Sequence, residues 1–472
     1  MNQGRKPALL AVAALFLCAG ASFAADPAGP SQADAQSGAQ GSAAAIAAPV
    51  EPRPLSIASR TLANGLRVLV VEDHATPILN LQVWYHVGSK DERPGHTGFA
   101  HLFEHLMFKG SAHVPPEEHS RIVEAAGGMD NAYTNDDVTV FWETVPSNFL
   151  ERVLWLEADR MATLNVDEAN FRSEREVVKE ERRLRVEDPP YGRVFEDLYA
   201  SAFTVHPYHH TTIGSMDDLN HATLEDVREF YKTFYRPDNA TVIIVGDVVP
   251  EECWAAAQKF FGGIPRPEQP VPRQKLTEPA QSEEKMLTKS YGANSPLPAV
   301  IEGYKIPAAF TPDYYALNLA SNILSAGESS RLYRRLVYEK QIATQTAGVG
   351  NFTEDPNLFL AFAVMNQGKT AEEGRAAIEA VLAEMRTDAV SETELVKAKN
   401  QMMAQFIFSR VGDQQTGDAV GLDAVIGKDP ELVNRDSGLF LHVTPADIQH
   451  VAQEYFVPTR CTVMIITPPA AR

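Results

Sequence analysis

The chain repeats itself at a fixed distance. Thr223-Leu224-Glu225-Asp226-Val227, Tyr235-Arg236-Pro237 and Thr241-Val242-Ile243-Ile244 recur as Thr444-Pro445-Ala446-Asp447-Ile448, Phe456-Val457-Pro458 and Thr462-Val463-Met464-Ile465. Asp226 and Asp447, Pro237 and Pro458, and Thr241 and Thr462 are each 221 residues apart. Each copy reads as a helix, a proline-marked stop and a buried β-branched strand. A register held over that length marks a duplication, so the chain is expected to build one design twice. The stretch 262–285 is rich in Pro and charge and poor in apolar residues, as a connector is. It places a linker at 265–285 between domains at 55–264 and 286–472. In the first copy, Leu66–Val71, Leu79–Val87 and Thr139–Val145 read as strands, and 98–110, 117–126, 148–163 and 168–187 as helices. The expected class is α+β, as two homologous domains.

The first copy also contains His101-Leu102-Phe103-Glu104-His105. On a helix, residues four apart lie about 40° apart around the axis and one turn apart along it, so both imidazoles can reach one ion. Glu104 falls on the same side, placed to hold a water molecule rather than the metal. The order HxxEH is the inverse of the commoner HExxH and is a metalloprotease motif in its own right. A catalytic zinc site needs a third protein ligand and leaves a fourth position open.

The segment Phe171 to Val186 reads as a helix stopped by Asp188-Pro189-Pro190, because the residue before a proline is pushed out of helical geometry. Phe171, Val177, Val178 and Leu184 follow the spacing of one inward stripe, with Glu174 and Glu181 in it, while Glu176, Lys179, Glu180, Arg182 and Arg183 project elsewhere. A carboxylate facing a core needs a partner or a metal. Glu181 is the candidate third ligand and Glu174 its supporting carboxylate. The alternative is that both pair with neighbouring arginines.

These segments carry a resemblance. Gly95–Ser111, Asn131–Pro146, Ser173–Pro190 and His206–Gly214 together resemble the pitrilysin or insulinase-like family of zinc peptidases (M16), in particular its bacterial members similar to mitochondrial processing peptidase. The resemblance implies two α+β domains facing each other as a clam shell. It implies one Zn2+ on His101, His105 and Glu181, with Glu104 as the general base. It also implies a place near the peptide substrate for Asn131, whose residue type equally suits an ordinary strand-entry turn. His206 is expected to be structural. Family members that work alone carry an arginine and a tyrosine, seven apart, in the second half. Here Val337 and Thr344 stand in those places, and Arg331 or Tyr338 would be out of register. The expected protein is therefore the zinc-bearing subunit of a heterodimer, completed by a homologous subunit that carries the missing pair. The competing expectation is a scaffold subunit of the same fold with no peptidase activity.

Residues 1–24 have Arg5 and Lys6, an apolar run, and small residues ending at Ala24, the layout of an export signal. Phe16 and Leu17 before Cys18 argue against a lipoprotein site. Residues 25–54, mostly Ala, Ser, Gly, Gln and Pro, read as a flexible leader. The expected location is periplasmic or secreted, with no membrane insertion once the signal is removed. A net charge of −20 argues against nucleic acid. Cys253 and Cys461 do not make a disulfide framework and are as compatible with two buried free thiols.

Overall fold

The computed structural model describes residues 50–469; the expected export signal and all but the end of the leader lie outside the described residues. The first half runs β1 (Ile57–Thr61), β2 (Arg67–Glu72), β3 (Ile78–Tyr85), α1 (Phe99–Leu106), α2 (Glu118–Ala125), β4 (Met129–Thr134) and β5 (Thr139–Pro146). It continues with α3 (Leu150–Thr163), α4 (Glu168–Arg182), α5 (Val194–Ala202), α6 (Met216–His221), α7 (Leu224–Phe234), β6 (Ala240–Gly246) and α8 (Pro250–Phe261). The second half opens with β7 (Lys285–Lys289), β8 (Ala299–Ile306), α9 (Pro312–Ser325), β9 (Ala343–Gly350) and β10 (Asn357–Met365). It ends with α10 (Ala371–Thr387), α11 (Glu392–Phe408), α12 (Asp413–Val425), α13 (Leu432–His442), α14 (Pro445–Tyr455) and β11 (Cys461–Ile466).

The duplication is visible in the sheets. The first has the order β1-β2-β6-β3-β5-β4 and the second β7-β11-β8-β10-β9, the same arrangement without β1. In each, the strand that follows the repeated helix pairs parallel with an early strand of its own half, β6 with β2 and β11 with β7. The repeated Thr and Asp have one purpose in both copies. Thr223 with Asp226 and Thr444 with Asp447 form capping boxes that satisfy the first N–H groups of α7 and α14.

Each sheet buries one face against its own helices and the other against a helix of the opposite half. Leu102, Phe103, Leu154, Val227 and Phe261 from α1, α3, α7 and α8 cover one face of the first sheet. Val420, Ala424 and Val425 of α12 cover the other, against Leu69, Trp84, Val140 and Ile243. Reciprocally, Val194, Leu198 and Tyr199 of α5 pack on Ile301, Leu360 and Met464 of the second sheet. Gly417 and Gly421 let α12 lie close to β3, since a Cβ at Gly421 would meet the Trp84 ring at 2.1 Å. The boundary along the chain is therefore not the packing boundary. A second junction centres on buried Lys90, which pairs with Asp137 at 2.8 Å, and with Glu354 at 2.6 Å and Asp355 at 3.2 Å from the second half. Cys253 and Cys461 are buried free thiols, one in each half.

A buried ion network braces the elements behind α1. Arg160 of α3 bonds Glu157, donates to Glu143 of β5 at 3.3 Å and lies 4.4 Å over the Phe141 ring. His119 of α2 meets Glu143 at 3.0 Å and Phe108 ring-to-edge just past α1. Burial pushes the Glu157 carboxyl up to about 8 against the pull of Arg160. Replacing Arg160 by Met strands these groups when ionised and is expected to cost about 3–5 kcal/mol of stability in urea denaturation at a pH above that value. The loss should shrink as the pH falls, because protonated carboxyls no longer need the guanidinium.

Candidate metal centre

The HxxEH helix is held at its start as well as along its face. Gly98, at φ +93°, turns the chain into α1 where a Cβ would meet Ile213 O at 2.8 Å. Buried Glu92 accepts from the N–H groups of Gly98 and Ala100 at 2.9 and 2.8 Å, satisfying donors that a helix start leaves orphaned. Burial raises the Glu92 carboxyl well above its ordinary range, against these two bonds. Phe99, Leu102, Phe103 and Leu106 point into the core. His101, Glu104 and His105 are left facing α4 and β4.

From α4, Glu181 directs Oε2 to 3.6 Å from His101 Nε2 and 3.2 Å from His105 Nε2. One atom from each of these three side chains lies within 4.8 Å of the others. Two imidazoles and one carboxylate, with a side left open, make a donor set that fits zinc. Glu174 reaches His105 Nδ1 at 3.4 Å and is held in turn by Lys109 at 3.2 Å, so it fixes which nitrogen of His105 faces the centre. Glu104 contributes no atom to the trio; its Oε2 accepts from the Thr134 hydroxyl of β4 at 2.7 Å.

Burial holds the His101 imidazole neutral, down to about 4, which leaves a lone pair for a metal. His105 lies near 9, because hydrogen bonds to Glu174 and Glu181 outweigh burial. Burial pushes Glu181 up, but the hydrogen bond to His105 and the charges of Arg185 and His105 bring it down to about 2. In the metal-free protein a proton on His105 thus occupies the role that a cation takes on binding. Burial raises Glu104 above its ordinary value, against the bond from Thr134. Among the described residues a second trio, His119, Glu143 and Glu157, lies equally close together. There the Arg160 guanidinium already supplies the cation.

The inward stripe of α4 needs correction. Phe171, Glu174, Val178 and Arg182 are its buried members, while Val177 is 45% and Leu184 60% exposed. At about 100° per residue Val177 lies about 120° around the helix from Phe171 and about 100° from Val178, which puts it off the buried side. Arg182 completes the stripe, donating to Gly214 O at 2.7 Å and pairing with Glu196. Past Arg182 the helix widens into a π turn, Arg183–Glu187.

Asn131 sits exposed on β4, its Oδ1 accepting from Ala132 N–H at 2.8 Å. Three residues from Thr134, it lies on the opposite face of the strand from the side that meets Glu104. His206 is buried, accepts from Tyr208 N–H and lies 3.5 Å from Asp355. In the second half Val337 packs partly buried against the core, and the Thr344 hydroxyl donates to Val364 O at 3.1 Å. Arg331 is held by Glu394 through two bonds of 2.9 Å, and Tyr338 stands 75% exposed. Glu92, Lys109 and Thr134 were not singled out by sequence reasoning. Of these, Lys109 lies within Gly95–Ser111 and Thr134 within Asn131–Pro146, two of the stretches that carry the family resemblance, but nothing in either stretch marks the residue itself.

Residues 67–215 match the insulinase family, peptidase family M16, and residues 221–402 match the peptidase M16 inactive domain. The chain is 34% identical over 415 residues to the zinc protease PqqE of Helicobacter pylori, covering 87% of this chain and 92% of that one. It is 24% identical over 373 residues to a probable mitochondrial-processing peptidase subunit beta of Arabidopsis thaliana, covering 76% and 69%. The crystal structure of a protease from Helicobacter pylori superposes with a TM-score of 0.85 at 32% identity, over 88% of this chain and 100% of that one. The periplasmic protease PqqL from Escherichia coli superposes with a TM-score of 0.72 at 18% identity, over 89% of this chain but 48% of that one. A structure of the first half of PqqL is covered to 93%.

Proposed function

This chain belongs to the insulinase family, peptidase family M16, and from that membership we propose that it is an exported zinc endopeptidase hydrolysing peptides or unfolded polypeptides. The observation that carries the reading is the donor trio His101, His105 and Glu181 with Glu104 beside it. One zinc ion bound there supplies a Lewis acid that lowers the pKa of water and polarises the scissile carbonyl. Glu104, steadied by Thr134, takes the proton from the attacking water and passes it to the leaving amine. Glu174, held by Lys109, keeps His105 in the ligating orientation. β4 is the edge of its sheet, and its free side offers main-chain N–H and C=O groups to an extended peptide beside Glu104. Asn131 on that strand is placed to touch such a peptide from the far face.

The chain's own second half brings neither arginine nor tyrosine at the matched positions, Val337 and Thr344. We read it as the catalytic subunit of a heterodimer, with a homologous chain supplying that pair. The PqqL likeness supports this at the level of fold, since that chain carries about as much sequence again beyond the unit matched here. Export rests on the layout of residues 1–24. Among the described residues no helix is long and apolar enough to cross a membrane.

The test is reconstitution. The isolated protein should bind one zinc ion and cleave a quenched fluorescent peptide feebly. Adding a homologous subunit that bears the Arg and Tyr should raise kcat/KM by about a hundredfold to a thousandfold. Full activity from the isolated chain, undiminished by dilution, would refute the pairing and leave the peptidase reading standing.

A further inference from the structure

The linker between the halves completes a cavity on the first half, and two groups in its wall carry charge that no neighbour answers. We propose that this cavity binds a free α-amino acid with a large apolar side chain, its ammonium on Asp91 and its carboxylate on Arg273. The site shares no residue with the donor trio and does not depend on the peptidase reading.

The cavity measures about 320 Å3, at the small end of ligand pockets, which run about 300–1,000 Å3. One wall is aromatic. Phe99 of α1 and Phe230 and Phe234 of α7 line it, the last two with ring centroids 4.8 Å apart. The linker stretch Pro272-Arg273-Gln274 supplies another wall. That stretch is tied down: Val271 packs against the first core, Pro267 O accepts from Arg236 at 3.0 Å, and Arg273 donates to His86 O at 2.5 Å and to Asn239 Oδ1.

Most charges around the cavity answer one another. Arg93 lies 3.3 Å from Glu229 and 3.6 Å from Asp226, and His96 lies 3.2 Å from Asp226. Asp91 and Arg273 differ. Asp91 is 5% exposed; its Oδ2 accepts from Gly88 N–H at 3.1 Å, while Oδ1 has no hydrogen-bond partner among the described residues. A buried polar atom left in that state is costly. Lys90, next in the chain, is turned to Asp137, Glu354 and Asp355. Burial pushes the Asp91 carboxyl up to about 6, against Gly88 N–H and the charges of Lys90, Arg273 and His86, so at neutral pH it stands ionised. Both acceptors bonded to Arg273 are neutral, and Asp238 nearby is taken by Arg236 and Arg266. A guanidinium has five N–H donors, so Arg273 keeps donors for a carboxylate.

These features select one ligand chemistry. An amine would leave Arg273 unanswered, a carboxylate would leave Asp91 unanswered, and a hydrocarbon both. An α-amino acid carries the two charges on one carbon and adds a side chain for the aromatic wall. Its carboxylate suits the planar fork of a guanidinium. Since Phe99 belongs to α1, the ligand would lie along the core-side flank of the HxxEH helix.

The experiment titrates the full chain by calorimetry with L-phenylalanine, L-phenylalaninamide, phenylpropionate, phenethylamine and glycine. L-phenylalanine should bind, and each analogue lacking one feature should bind about tenfold more weakly or worse, the size of a lost bond to a charged group. Asp91→Asn should weaken L-phenylalanine to the same degree without weakening phenylpropionate, which has no ammonium. Arg273→Gln should do so without weakening phenethylamine, which has no carboxylate. Thr233→Trp fills the cavity from α7 while leaving both charges in place, and should abolish binding of all. Equal affinity for the amide or the amine would make the pocket a site for a cation or a peptide amino terminus and overturn the proposal. So would unaltered affinity in Asp91→Asn or Arg273→Gln, or no binding of L-phenylalanine at millimolar concentration. The analogue series is read on the wild type, so it decides the question even where a substitution upsets the fold.

Discussion

Glu104→Gln is expected to lower kcat of the zinc-loaded protein by about a thousandfold, within the range for a lost proton-transfer group. Zinc affinity should be unchanged, because Glu104 gives no atom to the donor trio. The amide keeps the shape and can still meet the Thr134 hydroxyl, so the loss isolates proton transfer from geometry. Stability should move the other way. Burial raises the Glu104 carboxyl above its ordinary value, so the folded state favours the neutral form. A group raised in this way contributes stability that is present in acid and lost as the pH rises through its folded pKa. At neutral pH the ionised carboxylate is a burden that Gln removes. The metal-free variant should melt higher than the wild type at pH 7, with the difference shrinking toward pH 4. Melting curves across that interval and steady-state turnover measure both effects. Retained activity would leave Glu104 without the role assigned to it.

Glu181→Gln should weaken zinc binding by more than the about ten- to hundredfold typical of losing an outer partner, if Glu181 is the ligand proposed above. The amide carries no charge, and it also strips His105 and Arg185 of their carboxylate. Against the opposing push of burial, Glu181 is held down to about 2, chiefly by His105 and Arg185. The stability it contributes is present above the ordinary carboxylate value and lost as the pH falls toward 2. The metal-free variant should therefore melt lower than the wild type at neutral pH, opposite in sign to Glu104→Gln. Wild-type protein should gain melting temperature on adding zinc, by mass action on the folded state. The variant should gain little at the same concentration. Chelator competition and melts with and without zinc read this out, and an equal gain in both proteins would remove Glu181 from the ligand set.

Periodicity and local chemistry made part of this molecule legible. The spacing of Asp226 and Asp447 carried the duplication because a capping box is a short-range device that has to recur wherever its helix recurs. HxxEH was readable because helix geometry alone puts two imidazoles on one side. The stripe of α4 was readable in part: Phe171, Glu174 and Val178 are buried as read, whereas Val177 and Leu184 lie off that side and Arg182 completes it. Glu92, Lys109 and Thr134 were out of reach, since each acts through a partner distant in sequence or on another element. The π turn at Arg183–Glu187 was hidden as well, because charged residues on a helix end signal solvent and not a changed helical pitch. Nor could the sequence tell that α5 and α12 each serve the other half, since an apolar face does not name its counterpart.

That exchange of helices bears on how the chain is made. As the first half emerges during synthesis, Leu69, Trp84, Val140 and Ile243 form a sheet face whose cover, Val420 to Val433, has yet to appear. Domains ordinarily fold in the order they emerge. Here the amino-terminal half has to wait with an oily surface open while nearly two hundred further residues are made. Glu181, Glu104 and the two histidines all precede residue 185, yet the scaffold beneath them closes only when the last quarter of the chain arrives. Maturation of the proposed metal centre is thereby tied to completion of the whole polypeptide, and a truncated product would be left with an uncovered sheet.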